Sequence, residues 1–241
     1  MNIAEKTLQL KQDFDDVYEA GKNKEWSDFW DAFQYNGNRT NYINAFCGSG
    51  WNEITFFPKY DINADASGSN TNNAQSIFDG FNNTSMCEAF DFAERLEQQG
   101  VKLLTSSWEK HYLSFANMKV TRLPELDFSN AKNGGYTFQS SRSIITIDKI
   151  KSSVNTYWEG CFNYCEGLIN LIIEGEIGKN INIRFSTKLS KASITSIINA
   201  LSDNVTDKTA TFSKTAKTNA FTDSEWATLI ATKSNWTFSL A

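Results

Sequence analysis

The chain has 241 residues, of which 40% are hydrophobic and 21% are charged, and this balance is typical of a globular protein. Its formal net charge of −5 argues against nucleic acid as a partner, because phosphate binding needs a surplus of Lys and Arg on one face. No run approaches the roughly 20 apolar residues that a membrane span requires, so we expect none.

The first residues and the cysteines indicate where the protein folds. Residues 1–16 are charged throughout and lack the apolar core of a secretory signal, so we expect no signal peptide. The cysteines form no C-x-x-C pair, and only one histidine could join them in a metal site. We therefore predict buried free thiols in a reducing cytosol, at Cys47, Cys87, Cys161 and Cys165.

Residues 1–37 predict two helices. An apolar stripe runs at helical spacing through Ile3, Leu10 and Val17, and a second aromatic face follows from Trp26 to a turn at Asn36 and Gly37. This segment either caps the open end of a repeat structure or acts as a docking or oligomerising helix pair. Residues 38–80 are polar, and we expect irregular, loop-rich structure there.

Self-comparison predicts a repeat over residues 81–189. Phe115, Phe138 and Phe162 lie 23 and 24 residues apart, within the roughly 20–29-residue period of leucine-rich repeats. Each is followed by an aliphatic segment that reads as a short strand, and stacking of such coils builds a shared core. Phe81 is interpreted as an earlier member, separated from Phe115 by a helical insert at 86–99.

Residues 190–241 predict an α/β closure. Ile194, Ile197, Ile198 and Leu201 form the apolar face of one helix, and Thr222 begins another with the capping-box spacing. Strands are expected at 209–213 and 235–240. We interpret these elements as larger turns that seal the apolar end of the repeats.

One segment carries a family resemblance. Residues 160–175, GCFNYCEGLINLIIEG, resemble the BspA-like leucine-rich repeat, whose core is Ala-Phe-x-x-Cys-x-x-Leu-x-x-Ile-x-Ile. Phe162, Cys165 and Leu168 match this core, Cys161 stands at the Ala position, and the other coils match more loosely. The terminal segments, residues 17–42 and the stretch from LSKASITSIINALSDNVT (189–206) through SEWATLIATKSNWTFSL (224–240), resemble leucine-rich-repeat proteins of bacteriophages and prophages of gut Firmicutes. The implied fold is α/β, a short BspA-like solenoid with N-terminal helices and an α/β C-terminal closure.

The resemblance also implies a function. Such a protein is a non-enzymatic, tail-associated structural protein of the phage virion, assembled in the host cytoplasm, with a repeat surface for host-surface or protein recognition. Its expected partners are other virion proteins at the N-terminal helices, a bacterial surface protein or glycan, and a second copy of the chain. The alternatives are a BspA-like bacterial surface adhesin, which would need export, and a glycan-cleaving enzyme on a solenoid.

The candidate site is a binding surface, since the residue patterns suggest no catalytic residue, cofactor site or metal site. His111 has no nucleophile or orienting Asp in its local sequence, so a catalytic role is not indicated. Tyrosine and tryptophan offer large contact area at low entropic cost, although a coil also needs such residues in its corners. The candidate binding residues precede the strands: Trp108, His111, Tyr112, Tyr136, Arg142, Tyr157, Trp158 and Tyr164.

Overall fold

The computed structural model describes residues 62–63, 78–81, 88–100, 102–106 and 108–241. The helices predicted at 1–37, most of the loop-rich segment at 38–80, and the cysteines Cys47 and Cys87 lie outside these residues. In the described part, the fold is mixed α/β with parallel sheets.

The described residues form ten strands and four helices. The strands are β1 Ile62–Asn63, β2 Phe90–Asp91, β3 Leu103–Leu104, β4 Val120–Leu123, β5 Leu126–Asp127, β6 Thr146–Ser152, β7 Asn170–Gly175, β8 Ile181–Ile183, β9 Lys208–Phe212 and β10 Trp236–Leu240. The helices are α1 Phe92–Gln99, α2 Lys191–Asn199, α3 Lys214–Ala220 and α4 Asp223–Ala231.

Strand pairing in the central sheet follows a regular interval from β4 to β7, whereas the partners in β2 and β4 lie 30 and 31 residues apart. β2 pairs with β4, β6 pairs with β4, β5 and β7, and every pair is parallel. β4 and β5 both pair with β6, so they are two halves of one strand interrupted at Pro124 and Glu125. Arg122 pairs with Thr146, which pairs with Asn170, so partners recur every 24 residues. This interval matches the predicted spacing of the phenylalanines.

The turns that precede these strands also stack on one another. The N–H of Phe115 donates to the carbonyl of Thr137 at 2.9 Å, and the N–H of Phe138 donates to that of Cys161 at 2.9 Å. The N–H of Tyr136 likewise donates to Glu159 at 2.9 Å. These backbone groups are thus paired between neighbouring units, which lets the turns lie in the interior without leaving these N–H groups unpaired.

A stack of four phenylalanine rings forms the centre of the core. We call it the aromatic stack: its neighbours lie 5.5, 5.8 and 5.4 Å apart between ring centroids, and its members are Phe78, Phe115, Phe138 and Phe162. All four are 0% exposed. Phe78, not Phe81, stacks on Phe115, whereas Phe81 packs edge-on against Phe78 at 5.9 Å. The interpretation of Phe81 as the stack member is therefore wrong by three residues.

Small polar groups beside the aromatic stack are hydrogen-bonded within the core. Ser141 Oγ accepts from the N–H of Met118 at 2.9 Å and donates to the carbonyl of Phe115 at 2.7 Å. Cys165, one unit further along the chain, donates through Sγ to the carbonyl of Phe138 at 3.0 Å. Because these groups are satisfied, their burial does not carry the cost of unpaired polar atoms.

Helix α1 occupies the insert predicted at 86–99, and it begins later than the expected bounds because residues 90–91 form β2. The Asp91 side chain accepts from the N–H of Glu94 at 2.8 Å and caps its first turn. Gly100 ends it in the left-handed region at φ 66, where glycine is favoured.

Helix α2 covers the outer edge of β7. Ser193 Oγ accepts from the N–H of Leu171 and donates to the carbonyl of Ile169, both at 2.9 Å. Ser196 Oγ accepts from the N–H of Ile173 at 2.9 Å. These serines pair edge groups that would otherwise offer a template to another strand.

The predicted C-terminal elements are found with small shifts in their bounds. α2 buries Ile194, Ile197 and Ile198, while Leu201 lies beyond its end and is buried too. The capping box at Thr222 and Glu225 is confirmed at the start of α4. Strands β8, β9 and β10 form a parallel three-stranded sheet, and α3 is an additional helix that the sequence did not predict.

We expect Phe162→Ala to lower the free energy of unfolding by about 3–5 kcal/mol, because it removes a fully buried ring and leaves a cavity. Chemical denaturation of the wild type and the variant measures the difference. A matched control is Tyr164→Asn, which lies two residues away, is 39% exposed and should change stability far less. A near-zero change for Phe162→Ala would contradict its place in the aromatic stack.

Candidate recognition surface

Three of the eight candidate binding residues are in the core. Trp108, His111 and Trp158 are each 0% exposed, so they cannot contact a partner, and their interpretation as binding residues is corrected. Trp108 stacks against Phe115 at 6.3 Å, and Trp158 stacks against Phe162 at 6.2 Å. Their rings pack beside the aromatic stack and fill the interior of the turns.

His111 is enclosed by aromatic rings. Its ring centroid lies 3.8 Å from that of Phe128 and 5.3 Å from that of Trp108. Neither ring nitrogen has a hydrogen-bond partner in the part of the chain that the structure describes. Burial lowers the pKa of His111 to about 3, because the charged imidazolium loses its hydration there. The side chain is therefore a neutral core residue rather than an interfacial one.

Tyrosines remain at the surface on the stacked turns. We call Tyr112, Tyr136 and Tyr157 the tyrosine ridge. Tyr112 and Tyr136 meet edge to face at 5.7 Å, and Tyr157 is 45% exposed and lies beside Gly135 of the neighbouring unit. The ridge thus presents part of its aromatic surface to solvent from rigid, backbone-bonded turns.

The turn backbone sets the position of the ridge. Leu113, Tyr136 and Gly160 have φ values of 56, 55 and 62 at equivalent places in three successive units. A side chain at position 160 would place its Cβ 2.4 Å from the Tyr136 ring, so the glycine leaves room for that ring. Left-handed backbone at Leu and Tyr is uncommon, and the repeated hydrogen bonds between turns hold it in place.

Arg142 lines a second surface feature, a groove that also contains residues from beyond β8, and Tyr164 lies beside this groove against its lining residue Phe185. The rings of Tyr164 and Phe185 stack at 4.5 Å. The guanidinium of Arg142 lies over Tyr164 at 6.0 Å, and that of Arg184 lies over Phe185 at 4.6 Å. We call this feature the arginine groove; its open volume of about 490 Å³ is lined by Arg142, Glu166, Gly167, Arg184, Phe185, Thr187 and Lys188.

Gly167 shapes the floor of the arginine groove. A Cβ at this position would stand 2.3 Å from the carbonyl oxygen of Arg142 and 2.9 Å from that of Ile144. Only glycine therefore permits the backbone of one unit to approach the next so closely. Gly167 lines the groove together with Arg142, Arg184 and Phe185.

Sequence reasoning missed Glu166, Arg184, Phe185 and Lys188 as members of the groove. Three of them follow β8, where the 23–24-residue repeat has ended, so no period connects them to Arg142. A weak signal exists in the adjacent Arg184 and Phe185 with Lys188 three residues later, but it does not specify which turn they meet.

The outward face of the central sheet is charged but internally paired. Arg122 donates to both carboxylate oxygens of Asp148 at 2.7 Å, and Lys149 bridges Glu125 at 3.3 Å and Glu174 at 3.1 Å. Hydrogen bonding from Lys151, chiefly, holds the pKa of Glu125 below its usual value. A general acid needs the opposite shift.

The described residues contain no group of three or more His, Cys, Asp and Glu side chains that could hold a metal ion. Cys161 and Cys165 are buried free thiols, as predicted. Burial raises the pKa of both thiols, so they stay protonated at neutral pH. Their chemistry is that of core residues.

No protein-family model, curated protein or solved structure matches the chain. The described residues contain no helix that is long and apolar enough to cross a membrane. The features that bear on function are therefore the tyrosine ridge, the arginine groove and the stacked turns that hold them.

We expect stability to fall as pH drops below about 6.5, the ordinary pKa of histidine, because the unfolded chain then binds a proton that folded His111 cannot. Between pH 8 and pH 5 this proton costs the wild type about 2 kcal/mol. His111→Leu should remove that part of the pH dependence. Parallel unfolding curves at both pH values measure it, and an unchanged pH dependence in the variant would show that His111 is not buried neutral.

Proposed function

We propose that the chain is a non-enzymatic recognition protein built on a short leucine-rich-repeat solenoid. The observation that carries this proposal is that the turns place some aromatic side chains in the core and others at the surface. Phe115, Phe138 and Phe162 are buried in the aromatic stack, while the tyrosine ridge faces outward from the same hydrogen-bonded segments. Surface aromatic residues on a rigid backbone lose little entropy on binding.

The solenoid part of the proposal is supported by three regularities with one interval. From β4 to β7 strand partners recur every 23 or 24 residues, and the left-handed turn positions repeat at 113, 136 and 160. Three members of the aromatic stack, Phe115, Phe138 and Phe162, lie 23 and 24 residues apart. In such an architecture each unit contacts mainly its neighbours, and the turns form a continuous surface.

A bacteriophage particle is the proposed setting, in which the chain is a tail-associated protein that contacts a bacterial surface protein or glycan. This part rests on the resemblance of the terminal segments to phage and prophage proteins of gut Firmicutes. The N-terminal segment, outside the described residues, would attach the chain to other virion proteins or to a second copy.

A glycan-cleaving enzyme is disfavoured by the charges on the sheet face. Such an enzyme needs a carboxylic acid whose pKa is raised next to a free carboxylate. Here Asp148 forms an ion pair with Arg122, and Glu125 forms ion pairs with Lys149 and Lys151. For Glu125 these contacts favour the charged carboxylate and work against proton donation.

We expect the purified chain to compete with phage particles for adsorption to the bacterium that hosts them. A variant carrying Tyr136→Asn and Tyr157→Ser should need at least about tenfold more protein for the same inhibition, since it loses exposed aromatic contacts. Asn is chosen at 136 because it tolerates the left-handed backbone.

Ile172→Ser is the matched control, because Ile172 is 54% exposed on β7 and lies on the sheet face rather than on the turns. Competition should survive this change. Loss with Ile172→Ser but not with the tyrosine variant would move recognition to the sheet face. Particles that lack the chain, or adsorption that it never inhibits, would contradict the virion role, and cell binding without any particle would favour the adhesin alternative.

A further inference from the structure

The arginine groove has a charge that distinguishes it from the sheet face. Three cations and one carboxylate line it, Arg142, Arg184 and Lys188 against Glu166, which leaves a formal charge of +2. None of the three cations forms a salt bridge with a carboxylate of the described residues. On the sheet face, by contrast, Arg122, Lys149 and Lys151 are paired.

The two guanidinium groups are positioned by aromatic rings. Arg142 lies over Tyr164 and Arg184 over Phe185, while the two rings stack on each other. Stacking on a ring uses the flat face of a guanidinium and leaves its edge N–H donors available for a planar or tetrahedral anion. The groove thus combines cationic donors that lie close to aromatic rings with the partly exposed ring of Tyr164 beside its lining.

The three cations and the Tyr164–Phe185 pair lie together, and together they favour one kind of ligand. An anion alone would need the cations but not the Tyr164–Phe185 pair, and an uncharged sugar would use the aromatic pair but not the cations. Both features are used by a glycan that carries phosphate or carboxylate groups along its chain. The groove, about 490 Å³ in volume, is open to solvent, so a polymer bound there could extend beyond its lining.

We propose that the arginine groove binds an anionic glycan, with Arg142 and Arg184 contacting its phosphate or carboxylate groups and Tyr164 contacting a sugar ring. This inference rests on the proposed recognition function and names its ligand class. Lys188 adds charge at the groove wall, and Glu166 accepts hydrogen bonds from sugar hydroxyls. Because the whole chain has a net negative charge, we expect an anion to be attracted to this local excess of cations and not to the protein surface in general.

The test is calorimetric titration of the full chain with four polymers. The probes are poly(glycerol phosphate) carrying glucosyl groups, polygalacturonate, neutral dextran and inorganic polyphosphate. We expect binding of the phosphate glycan or the carboxylate glycan and, through the charge contact alone, of polyphosphate, each weakening as salt rises, and no binding of dextran. The stronger of the two anionic glycans identifies the anion that the groove selects, and absence of binding to both overturns the proposal.

The variant Arg142→Gln/Arg184→Gln should weaken binding at least about tenfold, a loss of about 1.4 kcal/mol. Its matched control is Lys179→Gln/Lys214→Gln, which removes two exposed positive charges outside the groove lining. An equal loss in the control would show general charge attraction and would overturn the site. Thermal unfolding of both variants verifies that they are folded.

Tyr164→Asn separates the sugar contact from the charge contact. It keeps a residue that tolerates the φ of 58 at this position and removes the ring. Binding of the glucosylated polymer should weaken about tenfold while polyphosphate binding stays unchanged. Equal weakening of both would contradict the sugar contact. A chain that still blocks phage adsorption but binds neither anionic glycan would retain the recognition function and lose only this inference.

Discussion

The structure depends on backbone hydrogen bonds between neighbouring units, in which the N–H groups of one unit donate to the carbonyl groups of the next. The N–H groups of Phe115 and Phe138 donate to carbonyls 22 and 23 residues further along the chain, and β6 pairs in parallel on both sides. A unit of this size could not bury its aromatic side chain or pair its polar groups alone. Stability in such an arrangement comes from the interfaces between units, and the aromatic stack runs through them.

The same constraint explains the surface. Because the turns are bonded to each other, they hold Leu113 and Tyr136 in a backbone conformation that these residues seldom adopt. The tyrosine ridge and the arginine groove both arise where glycine, at 160 or 167, lets a neighbouring unit come close. Where stacking of strands stops, the serine hydroxyls of α2 pair the edge of β7.

The sequence predicts the repeat interval and the buried phenylalanines because stacking demands equivalent bulk at equivalent positions. It does not separate Trp108 and Trp158 from Tyr136 and Tyr157, since all four precede strands and the direction of each side chain depends on the left-handed turns. It also places Phe81 where Phe78 stands, because both fit the aromatic pattern. Arg184 and Phe185 could not be predicted in the groove, because their contacts with Tyr164 and Arg142 bridge the end of the repeat.

The central claim is that the units are equivalent by translation, as the proposed solenoid requires. Inserting a second copy of residues 144–167 directly after Gly167 tests this most directly, since the backbone hydrogen bonds between units would be repeated in register. The account predicts that the longer chain unfolds in one cooperative transition with an unfolding free energy at least equal to that of the original. A chain that aggregates or loses cooperative unfolding would contradict it.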